Sequence, residues 1–294
     1  MDGPGRRDVT PATPLDDVEF LARSSHRVEV LRTLASGARS RADLHDTTGI
    51  SQPTLGRILG AFEDRNWVER PNGEYALTPC GELIRAEFDG LLDTVDTVQR
   101  LGDVVESLPF ADLDIDVGEF GDATVTRPEN GNAFLHLRRI EELYYGADRA
   151  RILSPTVAPG SIEEHRSRMA EFLHSDRHNE AIVSPEAMSQ ELTNGSLSWE
   201  PTGGPSEGPP PDEETAELIR EALETGRVGS YLYEGEIPFM LGVADDVTMI
   251  APTDERGVPT AVVETTNATA RSWAEDLLDD YRDRSVKLTA ETFL

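Results

Sequence analysis

Cysteine, lysine and long apolar runs are scarce or missing in this 294-residue chain, and each absence narrows what it can be. The single cysteine, Cys80, excludes an internal disulfide and any metal site built from several cysteines, and is expected to pack as a small, partly buried residue. No stretch approaches the roughly 20 uninterrupted apolar residues that a membrane span requires. Met1–Leu15 has no apolar core of the kind a secretory signal carries, so a cytoplasmic protein with no membrane partner is expected. Catalytic signatures are missing as well: there is no P-loop, no Gly-x-Ser-x-Gly elbow and no His-Glu-x-x-His pair. None of the six histidines has a lysine two places on, which excludes the His-x-Lys chemistry of phospholipase D-like folds. No enzyme, cofactor or metal is therefore expected. His174 and His178, which helical spacing could bring together as metal ligands, read better as solvated surface histidines.

What is abundant is negative charge. The formal net charge is −29, with 56 acidic residues against 27 basic ones, and Lys287 is the sole lysine among the latter. A charge of that sign would ordinarily argue against binding a polyanion. The combination of excess carboxylates with arginine in place of lysine resembles the proteins of salt-in halophilic archaea, which implies that the acidity answers to solvent rather than to partners. Where the acidity is relieved then becomes informative. Between Leu21 and Arg70 there are eight arginines (Arg23, Arg27, Arg32, Arg39, Arg41, Arg57, Arg65, Arg70) against six acids (Glu29, Asp43, Asp46, Glu63, Asp64, Glu69), a local balance of +2.

That window also has the most regular local pattern. Residues 1–14 read as a disordered tail, followed by a helix with apolar residues from Val18 to Leu34 that ends at Gly37. Ser40 can cap a short helix that stops at Thr47-Thr48-Gly49, and Ser51 can cap another with Pro53 in its first turn and Leu55, Ile58, Leu59 and Phe62 as its buried stripe. Two such helices joined by a tight turn form a helix-turn-helix. Trp67–Arg70 and Glu74–Leu77 then read as two strands around Pro71-Asn72-Gly73, the hairpin of a wing. After Thr78, the apolar face Leu83, Ile84, Phe88, Leu91, Leu92, Val95, Val98 and Leu101 predicts a helix too long for a small module to cover, suited to pairing with a second copy.

The segment from Ser40 to Ile84, SRADLHDTTGISQPTLGRILGAFEDRNWVERPNGEYALTPCGELI, resembles the winged helix-turn-helix of archaeal transcription regulators. The resemblance rests on the turn before Ile50, on Ser51-Gln52-Pro53-Thr54, on Trp67-Val68, and on Tyr75-Ala76-Leu77-Thr78-Pro79 followed by Gly81. It implies that Ser51, Gln52, Thr54 and Arg57 face the major groove and that Arg70 and Asn72 touch backbone or minor groove. Arg57 would suit guanine, Gln52 adenine, and Arg39 and Arg41 phosphates. The plain alternative for these arginines is a solvated face, with Arg39 and Arg41 paired to Asp43 or Asp46.

The remainder reads as a linker over residues 107–132 and a C-terminal regulatory domain over 133–294. A helix around Phe134–Tyr144 leads to a strand at Ala150–Leu153; helices near Glu163–Leu173 and Pro185–Leu192 flank a strand at Ala181–Val183. Past the Pro- and Gly-rich 201–214 loop and a helix at Thr215–Leu223, strands at Val228–Tyr233, Phe239–Val243, Val247–Ala251 and Thr260–Glu264 look like an antiparallel meander, closed by a helix from Ala268 to Arg284. This half resembles the C-terminal domain of regulators related to the methanogenesis regulatory protein, through Ile152-Leu153-Ser154-Pro155, Phe239-Met240-Leu241-Gly242 and Trp273-Ala274-Glu275. The expected fold class is α+β: a winged helix-turn-helix at residues 15–106 that includes the long dimerisation helix, then a mixed α/β sensor-like domain. The expected function is a homodimeric, sequence-specific regulator binding double-stranded DNA, the alternative being a winged-helix adaptor that contacts protein instead. A small-molecule effector would be met by Arg151, Ser154, Tyr231 and Tyr233, for which core packing and capping is the competing reading.

Overall fold

The computed structural model describes residues 13–156, 175–185 and 223–289, together with residues 167, 171, 187, 217, 220 and 221. The expected tail up to residue 12, the helices at 163–173, 185–192 and 215–223 and the 201–214 loop therefore lie wholly or largely outside the described residues. The chain divides into two compact units, residues 1–95 and 96–294.

The first unit is helical. Where one helix was expected from Val18 to Gly37 there are two, α1 (Pro14–Ala22) and α2 (Ser25–Ala35), broken at Arg23 and Ser24. The start at Pro14 comes from a capping box: Thr13 and Asp16 exchange hydrogen bonds at the helix entrance. Helix α3 (Arg41–Thr48) starts with the same device between Ser40 and Asp43 and ends at Gly49 with φ +69°, a left-handed cap that glycine adopts without strain. Helix α4 (Gln52–Asp64) follows at once. Strands β1 (Val68–Glu69) and β2 (Ala76–Leu77) pair antiparallel, and the ladder continues beyond them through the reciprocal backbone bonds of Arg39 and Tyr75. Thr78 then opens the long helix α5 (Pro79–Leu101), its hydroxyl accepting from the Gly81 N–H at 3.0 Å. Cys80, in the first turn of α5, is exposed rather than partly buried as expected. A Cβ at position 81 would lie 1.9 Å from the Trp67 carbonyl, so only glycine fits there. The core gathers Leu21, Leu31, Leu44, Leu55, Leu59 and Phe62 around Trp67.

Among the described residues the second unit is a mixed sheet with a helix on each face. Its strands are β3 (Thr124–Thr126), β4 (Arg149–Ser154), β5 (His178–Val183), β6 (Val228–Leu232), β7 (Phe239–Ala244), β8 (Val247–Pro252), β9 (Val262–Thr265) and β10 (Val286–Lys287). Among the described residues they form one eight-stranded sheet in the order β10-β6-β5-β4-β7-β8-β9-β3. Strands β4, β5 and β6 run parallel, and β7, β8 and β9 form an antiparallel meander. The expected four-strand meander is thus corrected to three: Val228–Leu232 pairs with β5 and β10, and β4 takes the place beside β7. Periodicity marks a strand but not its neighbour, which explains the misplacement.

The expected 107–132 linker is also corrected. It supplies the edge strand β3, and its Leu108, Phe120 and Ala123 join the core with Leu101 and Val104, the latter in the short helix α6 (Val104–Ser107). On this face lies α8 (Ala268–Asp283), which buries Ala270, Ala274 and Leu278 against Leu153, Ile182, Leu241 and Val263. On the opposite face α7 (Leu135–Gly146) packs Leu137 and Ile140 against Ile152, Met240, Met249 and Val262. The fold is therefore α+β, a helical N-terminal region followed by a mixed sheet domain.

Candidate nucleic-acid interface

Helix α4 buries Leu55, Ile58, Leu59 and Phe62, and that stripe fixes which side chains face outward. Ser51 stands at its N-cap position, but its hydroxyl donates to Thr54 Oγ1 at 3.0 Å and makes no capping bond to the backbone. The Arg57 guanidinium reaches Thr54 Oγ1 at 3.5 Å, so Ser51, Thr54 and Arg57 form a polar row at i, i+3 and i+6. Gln52 turns the other way and donates through Nε2 to the Arg41 carbonyl at 3.2 Å. The Arg41 side chain passes close to Gly56, where a Cβ would come within 3.3 Å of its guanidinium. The structure thus assembles Arg41, Ser51, Gln52, Thr54 and Arg57 at the amino end of α4 and the neighbouring start of α3.

Arg39 enters the wing ladder through its backbone, opposite Tyr75. Arg70 lies over the Tyr75 ring, 5.0 Å from its centroid, and donates to the Gly73 carbonyl. Asn72 sits exposed in the turn with φ +53°, a left-handed conformation that asparagine tolerates better than most residues.

The arginines of this unit divide into two sets. Arg23, Arg32, Arg65 and Arg85 are paired with Glu19, Asp89, Asp17 and Asp89, at 2.5, 2.7, 2.8 and 2.9 Å. Arg27 and Arg65 sandwich the Phe20 ring, each 3.9 Å from its centroid. Arg39, Arg41, Arg57 and Arg70, among the described residues, have no carboxylate at ion-pairing distance. Of the two carboxylates expected to neutralise Arg39 or Arg41, Asp46 is not at ion-pairing distance of either, and Asp43 is engaged with Ser40 and accepts from its N–H at 3.0 Å. Hydrogen bonding to Ser40 holds the Asp43 pKa below the ordinary carboxylate value, with a smaller contribution from the charge of Arg39. All four of this second set are among the candidates that the sequence offers, and the structure separates them from the paired set.

In the sheet unit the four candidate effector residues are not brought together. Arg151 and Tyr231 line a cleft of about 710 Å³ on the α8 face of the sheet, whereas Ser154 and Tyr233 lie outside it. Ser154 is buried and bonds to the Thr156 backbone, and Tyr233 stacks edge-on against Tyr281 at 4.8 Å. Arg151 is held between Glu180 and Asp279, both at 2.8 Å. The cleft also holds Arg149, His178, Arg227 and Lys287, which sequence reasoning missed. Their signal was that Arg149, His178 and Arg227 each stand at or just before the start of an apolar strand. His178 begins β5, and His174, its supposed metal partner, lies outside the described residues. Among the described residues no three of His, Cys, Asp and Glu cluster as metal ligands, and no helix is long and apolar enough to cross a membrane.

A winged helix followed by a mixed sheet domain is the class of protein that this fold defines. Residues 15–100 match the family model of the HVO_A0261 N-terminal domain, and residues 212–284 match that of the methanogenesis regulatory protein FilR1, middle domain. The chain is thus similar to haloarchaeal winged helix-turn-helix regulators over the first of these stretches and to the methanogenesis regulatory protein over the second. No curated protein matches it. Among solved structures it is similar to TrmBL2, an archaeal chromatin protein, at 10% identity and TM-score 0.39, covering 94% of this chain and 100% of that one. Phosphatidylserine synthase from Haemophilus influenzae Rd KW20 follows at 13% identity and TM-score 0.36, covering 56% and 39%. An IclR homologue from Microbacterium sp. strain HM58-2 stands at 15% identity and TM-score 0.23, covering 90% and 96%. At such scores these likenesses are loose.

Proposed function

We propose that the chain is a non-enzymatic, homodimeric transcription regulator that reads double-stranded DNA with the amino end of α4 and senses a signal through its sheet domain. The observation that carries this reading is the set of arginines without carboxylate partners. In a protein of net charge −29, Arg39, Arg41, Arg57 and Arg70 stay unneutralised and all lie on α3, α4, the wing or the residue leading into α3. Elsewhere in the helical unit Arg23, Arg32, Arg65 and Arg85 are each paired with a carboxylate. In this reading Arg57 and Thr54 reach base edges, Ser51 and Gln52 flank them, Arg39 and Arg41 hold phosphates, and Arg70 with Asn72 follows the backbone beside the wing.

The test is fluorescence anisotropy with genomic fragments, the chain's own promoter included, in potassium chloride up to molar concentration. A sequence-specific complex is expected, and Arg57→Ala should weaken it by about 1–3 kcal/mol while leaving the melting temperature unchanged. Equal affinity for all fragments would transfer the winged helix to a protein partner. An unaffected Arg57→Ala variant would remove that residue from the interface.

A further inference from the structure

The only lysine of the chain lies in the cleft on the α8 face of the sheet, and it lies there with three arginines and a histidine. Strand register explains the gathering. Arg149 stands opposite His178 across β4 and β5, and Asn179 N–H bonds to the carbonyl of Arg227, which puts Arg149, His178 and Arg227 in one row at the amino ends of three parallel strands. Two residues along, on the same face by strand alternation, the next row is Arg151, Glu180 and Gly229. The third row ends with Tyr231 opposite Lys287 on β10.

Gly229 leaves a gap in the middle of this surface: a Cβ there would fall 3.1 Å from the Tyr231 ring and 3.5 Å from Glu180. The floor of the cleft is therefore backbone and an aromatic ring, and its rim is cationic. Of the carboxylates in the lining, Glu180 is already engaged by Arg151 at 2.8 Å and by Arg282 at 3.9 Å. Glu224, the other, is exposed. Arg149 and Lys287, among the described residues, have no carboxylate at ion-pairing distance, and the Lys287 ammonium stands 6.0 Å from the centre of the Tyr231 ring.

From this we infer that the cleft is a binding site for a small anion bearing carboxylate or phosphate groups, held by Arg149 and Lys287 over the Tyr231–Gly229 floor, with Arg227, itself 3.9 Å from Asp176 and bonded to the Ser175 carbonyl, at the rim. A net cationic lining in a chain of charge −29 is contrary to its composition, so its charge calls for a ligand in the way that acidic surfaces elsewhere do not. Its volume, about 710 Å³, is within the range of metabolite sites. This inference deepens the sensing half of the proposed function and rests on that half alone.

The test is isothermal titration of the full chain in potassium chloride with two probes, inorganic phosphate and citrate. At least one is expected to bind saturably, and which of them does distinguishes a phosphate from a carboxylate ligand. Arg149→Ala and Lys287→Ala remove exposed side chains, so the fold should survive, as a circular dichroism melt would verify. Each should weaken binding by about tenfold or more through loss of a charge-assisted contact. Arg284→Ala, which removes a cation stacked on Tyr233 and Tyr281 outside the cleft, should leave binding unchanged. Absence of binding by both probes, or equal weakening in all three variants, overturns the inference. So does a loss of DNA affinity in the cleft variants without any probe binding, which would make the cleft a DNA contact. Probe binding alongside sequence-blind DNA association would leave the cleft standing and remove the regulator reading.

Discussion

Asp122 joins the edge strand β3 to the junction between β9 and α8. Its carboxylate accepts from the Thr265 hydroxyl, from the Thr266 N–H at 3.2 Å and from the Thr266 hydroxyl at 3.1 Å. Thr265 in turn accepts from the Asn267 N–H at 3.0 Å, and Asn267 caps α8 through Thr269 and Ala270. Partial burial pushes the Asp122 pKa up, but the hydrogen bonds from Thr265, Thr266 and the residue's own backbone together outweigh it and leave the group below its ordinary value. A carboxylate whose folded pKa is depressed contributes stability that is present above the unfolded pKa and lost as pH falls through the folded one. Asp122→Asn is thus expected to lower the melting temperature at neutral pH, with the gap to the parent closing as the pH falls below about 4. A gap that stays constant across that titration would show that the charge of Asp122 contributes nothing. This residue's role was not legible in the sequence: its partners are more than 140 positions away, and among acids, prolines and glycines it read as linker.

At the scale of elements, the local signals were the legible ones. The Ser40 cap, the Gly49 turn, the buried stripe of α4 and the Thr78-Pro79-x-Gly81 start of α5 depend on residues a few positions apart and stand where the sequence puts them, whereas the expected Ser51 cap does not form. Strand order was not legible, because a strand-forming run does not say what it pairs with: Val228–Leu232 reads as the start of the meander yet lies between β5 and β10. Helix α5 carries an apolar pattern that is legible but unfulfilled within one copy. Phe88 is buried and Ile84 half-buried in the core of the first unit, while Leu91, Leu92 and Val95 remain 50%, 37% and 44% exposed. Their spacing of one and four places them on one stripe, and a second α5 packed against it would remove that apolar surface from water at roughly 25 cal/mol per Å². A Leu91→Glu, Val95→Glu double variant should therefore change the mass measured by light scattering from two chains to one of 32.3 kDa, with its helical content retained. A parent chain that is already monomeric, or a variant that stays dimeric, would place the dimer contact elsewhere or remove it.

For the whole molecule, the distribution of charge sets two opposing responses to salt. Outside the Leu21–Arg70 window the chain carries a net −31, against +2 within it. Charges of one sign repel within the compact state, and screening weakens that repulsion as the Debye length shrinks from about 10 Å at 0.1 M to about 3 Å at 1 M. The melting temperature is accordingly expected to rise steadily with potassium chloride. DNA affinity moves the other way in an ordinary protein, because neutralising each phosphate releases counterions and gives a slope near −0.9 per contact in log affinity against log salt. Here the acidic remainder of the chain repels DNA most strongly at low salt, so screening restores part of what counterion release takes away. The measured slope should therefore be clearly shallower than the number of contacting cations requires, and Arg41→Ala should still shift it by about one unit per protomer if that side chain holds a phosphate. Anisotropy titrations over a series of salt concentrations give both quantities at once. A full-strength slope would mean that the acidic surface stays too far from the DNA to matter, and a slope that Arg41→Ala leaves unaltered would take Arg41 off the phosphate backbone.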